Sequence, residues 1–442
     1  MRHRLAFAER TVPRYTSYPT APNFTAAVGT ETYAEWLATL PEVASLSLYI
    51  HVPYCTHICL FCGCRTKAVR QSGPIERYAK RLIDEIALVR AAVGRRKVVH
   101  LHWGGGTPSI LGEQRLALIT DRIGAAFDLS AIREHAIELD PRRMSKQLAR
   151  ALAEIGVNRA SLGVQDFSPH VQEAIGRIQN FAQVKDAADW LREAGIESLN
   201  IDLMYGLPRQ TMADVARSAG HAVSLSPQRL ALFGYAHVPW FKTHQKLIDE
   251  TTLPGPLQRL EQAQVAADTL VSHGYVAIGL DHFALSHDSL AEEVRTSGLH
   301  RNFQGYTTDE AEALIGLGAS AIGKLPQGFV QNTVDIAGYS RAVEARKFAT
   351  VKGIALYADD RLRAHIIERL MCDLAIDLDE IAAGRDFSAE INALRPLNDT
   401  GVVKIDGRRI AVTERGRPFL RLVAAAFDVY LPTNRTRHSM AV

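Results

Sequence analysis

Short β-rich runs alternate with helical patterns from residue 45 to residue 282, and this alternation constrains the fold more than any other feature of the chain. Repeated strand–helix units build a parallel sheet with right-handed crossovers. Six or more of them predict an α/β fold with a partial or complete TIM-type (β/α) barrel. A doubly wound sheet also accounts for the alternation. The predicted strands cover residues 45–52, 97–103, 135–139, 159–164, 198–206, 229–236 and 275–282.

The first helical pattern, IERYAKRLIDEIALV, follows the first strand and covers residues 75–89. Ser72 is the predicted cap of this helix, and Pro74 suits its first turn. One face of the helix is apolar and is expected to pack on the sheet. That face carries Ile75, Tyr78, Leu82, Ile86 and Val89.

The pattern changes on both sides of this region, which predicts three parts. Residues 1–44, with the Tyr- and Pro-rich run PRYTSYPTAPNF, fit neither pattern and are expected to cover the barrel. Residues 45–345 form the barrel domain. Residues 346–442 form a mostly helical C-terminal domain, with helices predicted at 359–376 and 415–431. Between these helices, Asp406-Gly407 predicts the turn of a small hairpin.

The charge balance and the apolar pattern exclude several classes of protein. The net charge is only +3, from 51 Lys and Arg against 48 Asp and Glu, which is too weak for a nucleic-acid-binding protein. No apolar run reaches membrane-spanning length, and the apolar start of the N-terminus is interrupted at Glu9 and Arg10. We therefore expect a cytoplasmic protein that does not interact with membranes.

Four of the five cysteines lie within ten residues, just after the first strand. Cys55, Cys59 and Cys62 have the spacing C-x3-C-x2-C, and Cys64 follows. A disulfide framework does not fit a reducing compartment, so we expect a metal site. One alternative is structural zinc, with Cys64 or His57 as the fourth ligand. The other is an iron–sulfur cluster held by three thiolates, with one iron left open.

Polar groups recur where the predicted strands end, the rim on which TIM-type folds carry their chemistry. Gly104, Gly105, Gly106 and Thr107 follow the second strand, and three glycines allow a ligand to approach the backbone closely. Glu138 and Gln165 lie at the ends of the third and fourth strands, and the fifth strand offers Asp202. A structural zinc ion does not need these groups, whereas a large polar cofactor beside the cluster does.

The cysteine spacing together with the glycine-rich strand end resembles the radical S-adenosylmethionine enzymes. Further motifs narrow the resemblance to the oxygen-independent coproporphyrinogen III oxidases, and it extends from Arg14 to the run FDVYL at 427–431. These motifs are PRYTSYPTA, SLYIHVPYC, CGCRT, LHWGGGTP, SLGVQDF, NIDLMYGLP, DHFA and HRNFQGYTT. The resemblance implies an extended partial barrel. Two mild departures are Arg65 and Gly176, which stand where the family commonly has asparagine.

The resemblance implies an oxidative decarboxylation in haem and porphyrin biosynthesis. Three thiolates would hold a [4Fe–4S] cluster whose open iron chelates S-adenosylmethionine. One electron would then yield methionine and a deoxyadenosyl radical, which removes a hydrogen atom from a propionate of coproporphyrinogen III. Loss of carbon dioxide and one electron leaves a vinyl group, and two such reactions give protoporphyrinogen IX. An electron donor, an electron acceptor and a monomeric state are also implied.

Site residues follow from the same resemblance, position by position. Cys55, Cys59 and Cys62 match the cluster ligands. The first S-adenosylmethionine matches Tyr49, Gly105, Glu138 and Ile322. A second S-adenosylmethionine matches Phe61, Gly106, Thr107, Gln165, Arg177, Asp202 and Ala236.

Tyr49 and Cys64 are the candidates for a direct part in catalysis. An aromatic ring at Tyr49 favours a sulfonium cation by about 1–2 kcal/mol. Cys64 lies too near Cys62 to share the same cluster easily, so we expect it near the substrate or simply as a buried thiol without a ligand role.

Other residues receive weaker predictions. Arg14, Tyr15 and Tyr18 are candidates for covering the carboxylate-rich substrate, or for a surface strap without that role. Cys372 is predicted in the core, and no catalytic part is assigned to His237, His282 or His300.

Three alternatives to the oxidase interpretation remain. The first is a haem chaperone of the same superfamily, and the second is a radical enzyme that degrades haem. The third, a structural zinc protein, predicts a colourless protein without iron.

Overall fold

A computed structural model describes residues 2–431 of the chain as fifteen α-helices and nineteen strands. The strands are β1 Leu46–Val52, β2 Tyr54–Cys55, β3 Lys67–Ala68, β4 Val98–Gly105, β5 Glu134–Leu139, β6 Arg159–Gln165, β7 Ser198–Tyr205, β8 Arg229–Gly234, β9 Tyr275–Ile278, β10 His282–Leu285, β11 His300–Asn302, β12 Gly305–Thr307, β13 Ala313–Leu317, β14 Ile322–Leu325, β15 Gly328–Asn332, β16 Thr350–Ala355, β17 Ala375–Asp377, β18 Val403–Asp406 and β19 Arg409–Val412.

The helices lie mostly between the strands of the central region. They are α1 Arg2–Ala8, α2 Thr30–Ala38, α3 Ser72–Val93, α4 Glu113–Ala126, α5 Lys146–Glu154, α6 Pro169–Ala174, α7 Phe181–Glu193, α8 Met212–Ser224, α9 Pro256–Ser272, α10 Ser289–Thr296, α11 Ile336–Glu344, α12 Ala358–Asp373, α13 Leu378–Ile381, α14 Ser388–Asp399 and α15 Leu420–Ala425.

One twelve-stranded sheet forms the centre of the molecule, in the order β16-β15-β14-β13-β1-β4-β5-β6-β7-β8-β10-β9. The strands from β13 to β8 in this order run parallel. From β1 to β8 the sheet order follows the chain order, so the sheet winds in one direction. A doubly wound sheet would reverse its direction, and that alternative is therefore wrong. The prediction of a partial TIM-type barrel is confirmed.

The last predicted strand, 275–282, is wrong in form. It is two short antiparallel strands, β9 and β10, and β10 also runs antiparallel to β8. Gly279 lies between them with a φ of 52°, a backbone conformation that residues other than glycine rarely adopt. The chain therefore turns back at Gly279 instead of continuing as one strand.

The first predicted helix is longer than its pattern indicated. It begins at Ser72, so Ser72 is its first residue, and Gln71 occupies the cap position without a side-chain hydrogen bond. All five predicted apolar residues are buried. They join a core that also contains Trp103 and Ile50 from the sheet. Burying a side chain such as Leu82 contributes about 1.5–3 kcal/mol, so packing rather than capping stabilises this helix.

The N- and C-terminal parts share a second core. Ala8 and Val12 pack there with residues of α12, α14 and α15. The Tyr15 hydroxyl donates to Asp428 at 3.0 Å, and the Tyr18 hydroxyl accepts from the Val429 amide at 3.2 Å. Tyr15 and Tyr18 are only 3% and 4% exposed. The hydroxyls of both tyrosines therefore bond to the C-terminal part, while both side chains line a cavity together with Arg301. That they cover the substrate stays a prediction.

The C-terminal part differs from its prediction in three details. The helix predicted at 415–431 is wrong in extent, because a 3-10 helix covers Glu414–Phe419 and α15 covers only Leu420–Ala425. The sheet continues through β16 to Ala355, beyond the predicted boundary at 345. The helix predicted at 359–376 ends at Asp373, where Leu374 has a φ of 62°, and β17 follows. The hairpin about Asp406-Gly407 is present as β18 and β19. Part of the predicted 346–442 domain, residues 432–442, lies outside the described residues.

Candidate active site

The cysteine loop follows β1 and lies at the carboxyl ends of the parallel strands. Cys55 begins it, and its thiol lies 3.4 Å from the hydroxyl of Thr107 and 3.4 Å from that of Thr66. Burial raises the pKa of the Cys55 thiol, and these two hydroxyls oppose that shift. Because a hydroxyl that donates to sulfur favours the thiolate, the two threonines suit a metal-bound cysteine.

Cys59 is buried beside two arginines. Arg177 donates to its sulfur at 3.5 Å and Arg142 at 3.7 Å. Asp140 accepts from Arg142 at 2.7 Å and from Arg177 at 3.3 Å, which fixes both guanidinium groups. Arg177 was predicted from resemblance alone, whereas Arg142 was missed because an arginine after a strand is common on any protein surface.

Cys62 and Cys64 lie together at the end of the loop. The Cys64 amide donates to the Cys62 sulfur at 3.4 Å. A hydrogen bond with the Cys64 thiol and the positive charge of Lys242 together lower the pKa of Cys62 to about 6, although burial opposes the shift. Cys64 itself is exposed, so the prediction of a buried thiol at this position is wrong.

The three thiols of the C-x3-C-x2-C motif thus all face groups that stabilise negative sulfur, which fits a thiolate-bound iron–sulfur cluster. Each thiolate of such a cluster binds a different iron atom, so the three sulfurs need not converge on one point. Within residues 2–431, no group of three His, Cys, Asp or Glu side chains is arranged to hold a single metal ion. Cys55, Cys59 and Cys62 are therefore the candidate cluster ligands.

A polar segment after β8 supports the cysteine loop and was missed by sequence reasoning. The Lys242 ammonium donates to the Cys64 carbonyl at 2.7 Å, and the His244 imidazole lies 2.8 Å from the Cys62 carbonyl. The buried Gln245 amide donates to the Phe61 carbonyl at 3.0 Å and to the Ala236 carbonyl at 3.3 Å. No periodicity marks this segment, and only its run of polar residues after a strand end hinted at a role.

Close packing explains the glycine-rich turn after β4. Gly105 has a φ of 111°, and a Cβ atom there would lie 2.7 Å from the His51 ring. A Cβ at Gly104 would lie 2.9 Å from Tyr49 and Glu138, and one at Gly106 would lie 2.5 Å from the Tyr54 carbonyl. The turn can therefore lie against β1 and the cysteine loop only because these residues lack side chains.

Tyr49 belongs to a short hydrogen-bonded chain. Its hydroxyl lies 3.0 Å from Nδ1 of His51, and Nε2 of His51 lies 3.0 Å from the Arg65 carbonyl. Desolvation raises the pKa of the Tyr49 phenol well above its ordinary value and lowers that of His51. Both side chains are therefore neutral, and His51 fixes the ring of Tyr49. His51 was missed because it lies within the first predicted strand, where a packed histidine carries no distinct signal.

Two carboxylates on the rim have opposite pKa shifts. Glu138 accepts from the Gly105 amide at 3.1 Å and lies 3.4 Å from the His102 ring. Burial raises the pKa of Glu138, but His102 and the Gly105 amide outweigh burial and lower it. Burial and the nearby Glu138 raise the pKa of Asp202 to about 6. Glu138 is therefore the stronger acid of the two and stays ionised at neutral and mildly acidic pH, which suits a cationic ligand.

The remaining predicted residues lie around the same rim. Gln165 ends β6 with a φ of 75°, at a point where the register with β7 shifts. Asp202 is paired with Gly163 of β6, and the carbonyl of Gly163 accepts from Arg177. The carbonyl of Ile322 lies close to Gly316, which is the register partner of Tyr49. A strained non-glycine residue such as Gln165 is typical of a functional site.

Cys372 and the three histidines to which no catalytic part was assigned have structural contacts. Cys372 is buried in a small core with Ile278 and Leu299, as predicted. His237, His282 and His300 lie 2.9 Å, 2.8 Å and 3.4 Å from the carboxylates of Glu250, Asp281 and Glu368.

Comparisons with known proteins agree with this arrangement. Residues 49–222 match the Radical SAM superfamily, and residues 356–419 match the HemN C-terminal domain. The oxygen-independent coproporphyrinogen III oxidase of Bradyrhizobium diazoefficiens is 48% identical, over 99% of this chain and 99% of that protein. The chain belongs to the oxygen-independent coproporphyrinogen III oxidases.

Other members of this oxidase family match almost as completely. The Escherichia coli oxygen-independent coproporphyrinogen III oxidase is 38% identical, over 95% of this chain and 93% of that protein. A solved structure of coproporphyrinogen III oxidase (HemN) from Escherichia coli has a TM-score of 0.90, with 36% identity, and covers 95% of this chain and 100% of that one. As members of the Radical SAM superfamily, the enzymes of this oxidase family use a [4Fe–4S] cluster and S-adenosylmethionine. The structural zinc alternative is therefore wrong.

Proposed function

We propose that this chain converts two propionate side chains of coproporphyrinogen III to vinyl groups, giving protoporphyrinogen IX. Its membership in the oxidase family over nearly the whole length of the chain supports this proposal. The single observation that carries it is the three-cysteine loop placed beside the glycine-rich turn, Glu138 and Asp202 on one rim of the barrel. Neither the haem chaperone nor the haem-degrading enzyme is favoured by the comparisons.

When bound, the cluster and S-adenosylmethionine supply the radical that removes one hydrogen atom from each reacting propionate. The chain contributes the thiolates of Cys55, Cys59 and Cys62. Arg142 and Arg177 place positive charge beside Cys59, which offsets the negative charge of the thiolates.

For the first S-adenosylmethionine we assign Tyr49, Gly105, Glu138 and Ile322. The ionised Glu138 carboxylate would bind the amino group of the cofactor, and the Gly105 turn gives it room to approach the backbone. The neutral ring of Tyr49, fixed by His51, would face the sulfonium. Tyr49 and Cys64 remain our candidates for a direct part in the reaction.

A second S-adenosylmethionine is a further part of the proposal. Its site would comprise residues that border the cysteine loop and the ends of β4, β6, β7 and β8. These residues are Phe61, Gly106, Thr107, Gln165, Arg177, Asp202 and Ala236. The link through Gln245 between the Phe61 and Ala236 carbonyls fixes two of them relative to each other.

Electron balance requires two partners. Each turnover takes one electron to cleave the cofactor, and one electron leaves the substrate when carbon dioxide is lost. We propose a low-potential electron donor and a separate electron acceptor, with the chain acting as a cytoplasmic monomer. No helix within residues 2–431 is long and apolar enough to cross a membrane.

Anaerobic turnover tests the proposal. The purified protein is reconstituted with iron and sulfide and mixed with S-adenosylmethionine, a reductant, an electron acceptor and coproporphyrinogen III. We expect two successive losses of carbon dioxide by mass spectrometry, abolished in Cys59→Ala and retained in the matched control Cys372→Ala. If the cofactor is cleaved while the porphyrinogen mass stays unchanged, the substrate assignment is wrong and haem becomes the next substrate to test.

A further inference from the structure

A cavity of about 660 Å³ adjoins the cysteine loop and extends to the C-terminal part. Its lining includes Cys64 of the loop and Ala236, which we assign to the second cofactor. Tyr205, Phe233 and Phe303 give it apolar walls. A cavity of this size and composition is typical of a site for a ligand of several rings.

Five arginines from separate parts of the chain line this cavity. They are Arg14, Arg259, Arg301, Arg417 and Arg421. Three acidic residues, Asp268, Asp281 and Glu414, also line it, so five positive charges face three negative ones. Glu414 is bound to Arg417 at 3.0 Å, and Asp281 lies 2.8 Å from His282 and 3.9 Å from Arg301. The charged side chains that line the cavity therefore carry a net positive charge.

Two arginines in particular are suited to an anionic ligand. Nη1 of Arg301 is buried, and no hydrogen-bond acceptor bonds to it anywhere in the described part of the chain. The Arg301 side chain is only 6% exposed. Arg14 donates to the Gly234 carbonyl at 3.1 Å, and within residues 2–431 no carboxylate lies within 4 Å of it.

The mutual repulsion of these charges is visible at Arg421. Burial, together with the positive charges of Arg14 and Arg301, lowers the pKa of Arg421 to about 10. A carboxylate that enters the cavity would relieve this repulsion and would satisfy the buried donor of Arg301.

We propose that this cavity binds the propionate carboxylates of the tetrapyrrole substrate, with Arg14, Arg301 and Arg421 as their partners. The inference rests on the proposed function. The apolar walls contact the pyrrole rings, and the arginines hold the propionates that do not react while a reacting propionate lies toward Cys64. The N-terminal segment therefore contributes to the site through Arg14, and the hydroxyls of Tyr15 and Tyr18 anchor this segment to the C-terminal part.

Binding without turnover tests this inference. Coproporphyrin III carries the same four propionates and does not react, so its dissociation constant is measured by anaerobic equilibrium dialysis against the cluster-loaded protein, without reductant or S-adenosylmethionine. We expect Arg301→Gln and Arg14→Gln each to weaken binding about 10-fold or more, because each loses a hydrogen bond to a charged group. Arg301→Lys keeps the charge without the paired donors and should lie between wild type and Arg301→Gln.

The matched control is Arg122→Gln, which removes an exposed arginine of α4 that does not line the cavity. Iron content and thermal midpoint establish that each variant is folded, and Arg14→Gln serves as the test if Arg301→Gln does not fold. Binding of all variants equal to wild type overturns the inference even when wild type decarboxylates its substrate. Arginine-dependent binding without any loss of carbon dioxide overturns the proposed function and leaves the cavity as a tetrapyrrole carboxylate site.

Discussion

Replacing Gly105 by alanine tests the glycine-rich turn most directly. The φ of 111° is unfavourable for alanine, and the new Cβ would lie 2.7 Å from the His51 ring. Strain of this kind costs about 1–3 kcal/mol, and overpacking costs about as much again, or roughly 2–6 kcal/mol together. The turn or His51 must then move, which displaces the Gly105 amide from Glu138 and Tyr49 from its partner.

The size of the thermal effect follows from the length of the chain. At about 2.1 cal/mol/K per residue, unfolding 442 residues has an entropy of roughly 0.9 kcal/mol/K. A loss of roughly 2–6 kcal/mol therefore lowers the thermal midpoint by only about 2–7 °C. Cofactor binding is the more sensitive measurement, and we expect the dissociation constant for S-adenosylmethionine to rise about 10-fold or more.

Gly63→Ala is the matched control, because Gly63 lies between Cys62 and Cys64 and a Cβ there meets no atom within 4 Å. Both variants are reconstituted with iron, and binding is measured by anaerobic calorimetry alongside thermal unfolding. We expect Gly63→Ala to behave like wild type in both. A Gly105→Ala protein that binds S-adenosylmethionine as tightly as Gly63→Ala and unfolds at the same temperature would refute the packing argument.

Three further predictions concern charge and pH. Burial raises the pKa of Glu85 to about 7, so the folded state binds more protons than the unfolded state between about pH 4.5 and 7. As pH rises through this range, the thermal midpoint of wild type should fall more than that of Glu85→Gln, and parallel curves of midpoint against pH would contradict this. His135 accepts a hydrogen bond from Trp103 at 2.9 Å, and burial lowers its pKa to about 4. The free energy of unfolding of wild type should therefore decrease by up to about 3 kcal/mol as pH falls from 6.5 to 4. His135→Gln, which lacks this titrating group, should lose less over the same range. Arg177→Gln removes a donor and a positive charge beside Cys59, and it should lower the reduction potential of the cluster by on the order of tens of millivolts. The potential is measured by spectroscopic redox titration, with Arg150→Gln at an exposed position as the control. Equal potentials in the two variants would refute this role of Arg177.

Local sequence patterns predicted the parallel part of the fold well. Six predicted strands from 45–52 to 229–236 match β1 and β4 to β8 within a few residues. Each carries buried apolar residues, either in a nearly continuous run as in β1 or at every second position as in β6 and β7, and such patterns are visible in the sequence. The seventh failed because the apolar pattern continues through Gly279, where the turn depends on packing against Tyr306 that no local pattern records.

The candidate site divides in a similar way. The cysteine spacing and the glycines were visible because the chemistry itself requires those residues at those intervals. His51, Arg142 and Gln245 were not visible, because their roles depend on which carbonyl or thiol they meet across the fold. The burial of Tyr15 and Tyr18 depends in the same way on Asp428 and Val429, which lie at the other end of the chain.

The support that Lys242, His244 and Gln245 give to the cysteine loop has a consequence for how the enzyme is made. These residues follow the carbonyls that they bind by 178, 182 and 184 positions. At about 5–20 residues per second, a ribosome needs roughly 10 to 35 seconds to synthesise that stretch. The thiols of a nascent chain therefore leave the ribosome well before the segment that shapes their loop, and stable cluster insertion must wait until β8 and the residues after it have folded.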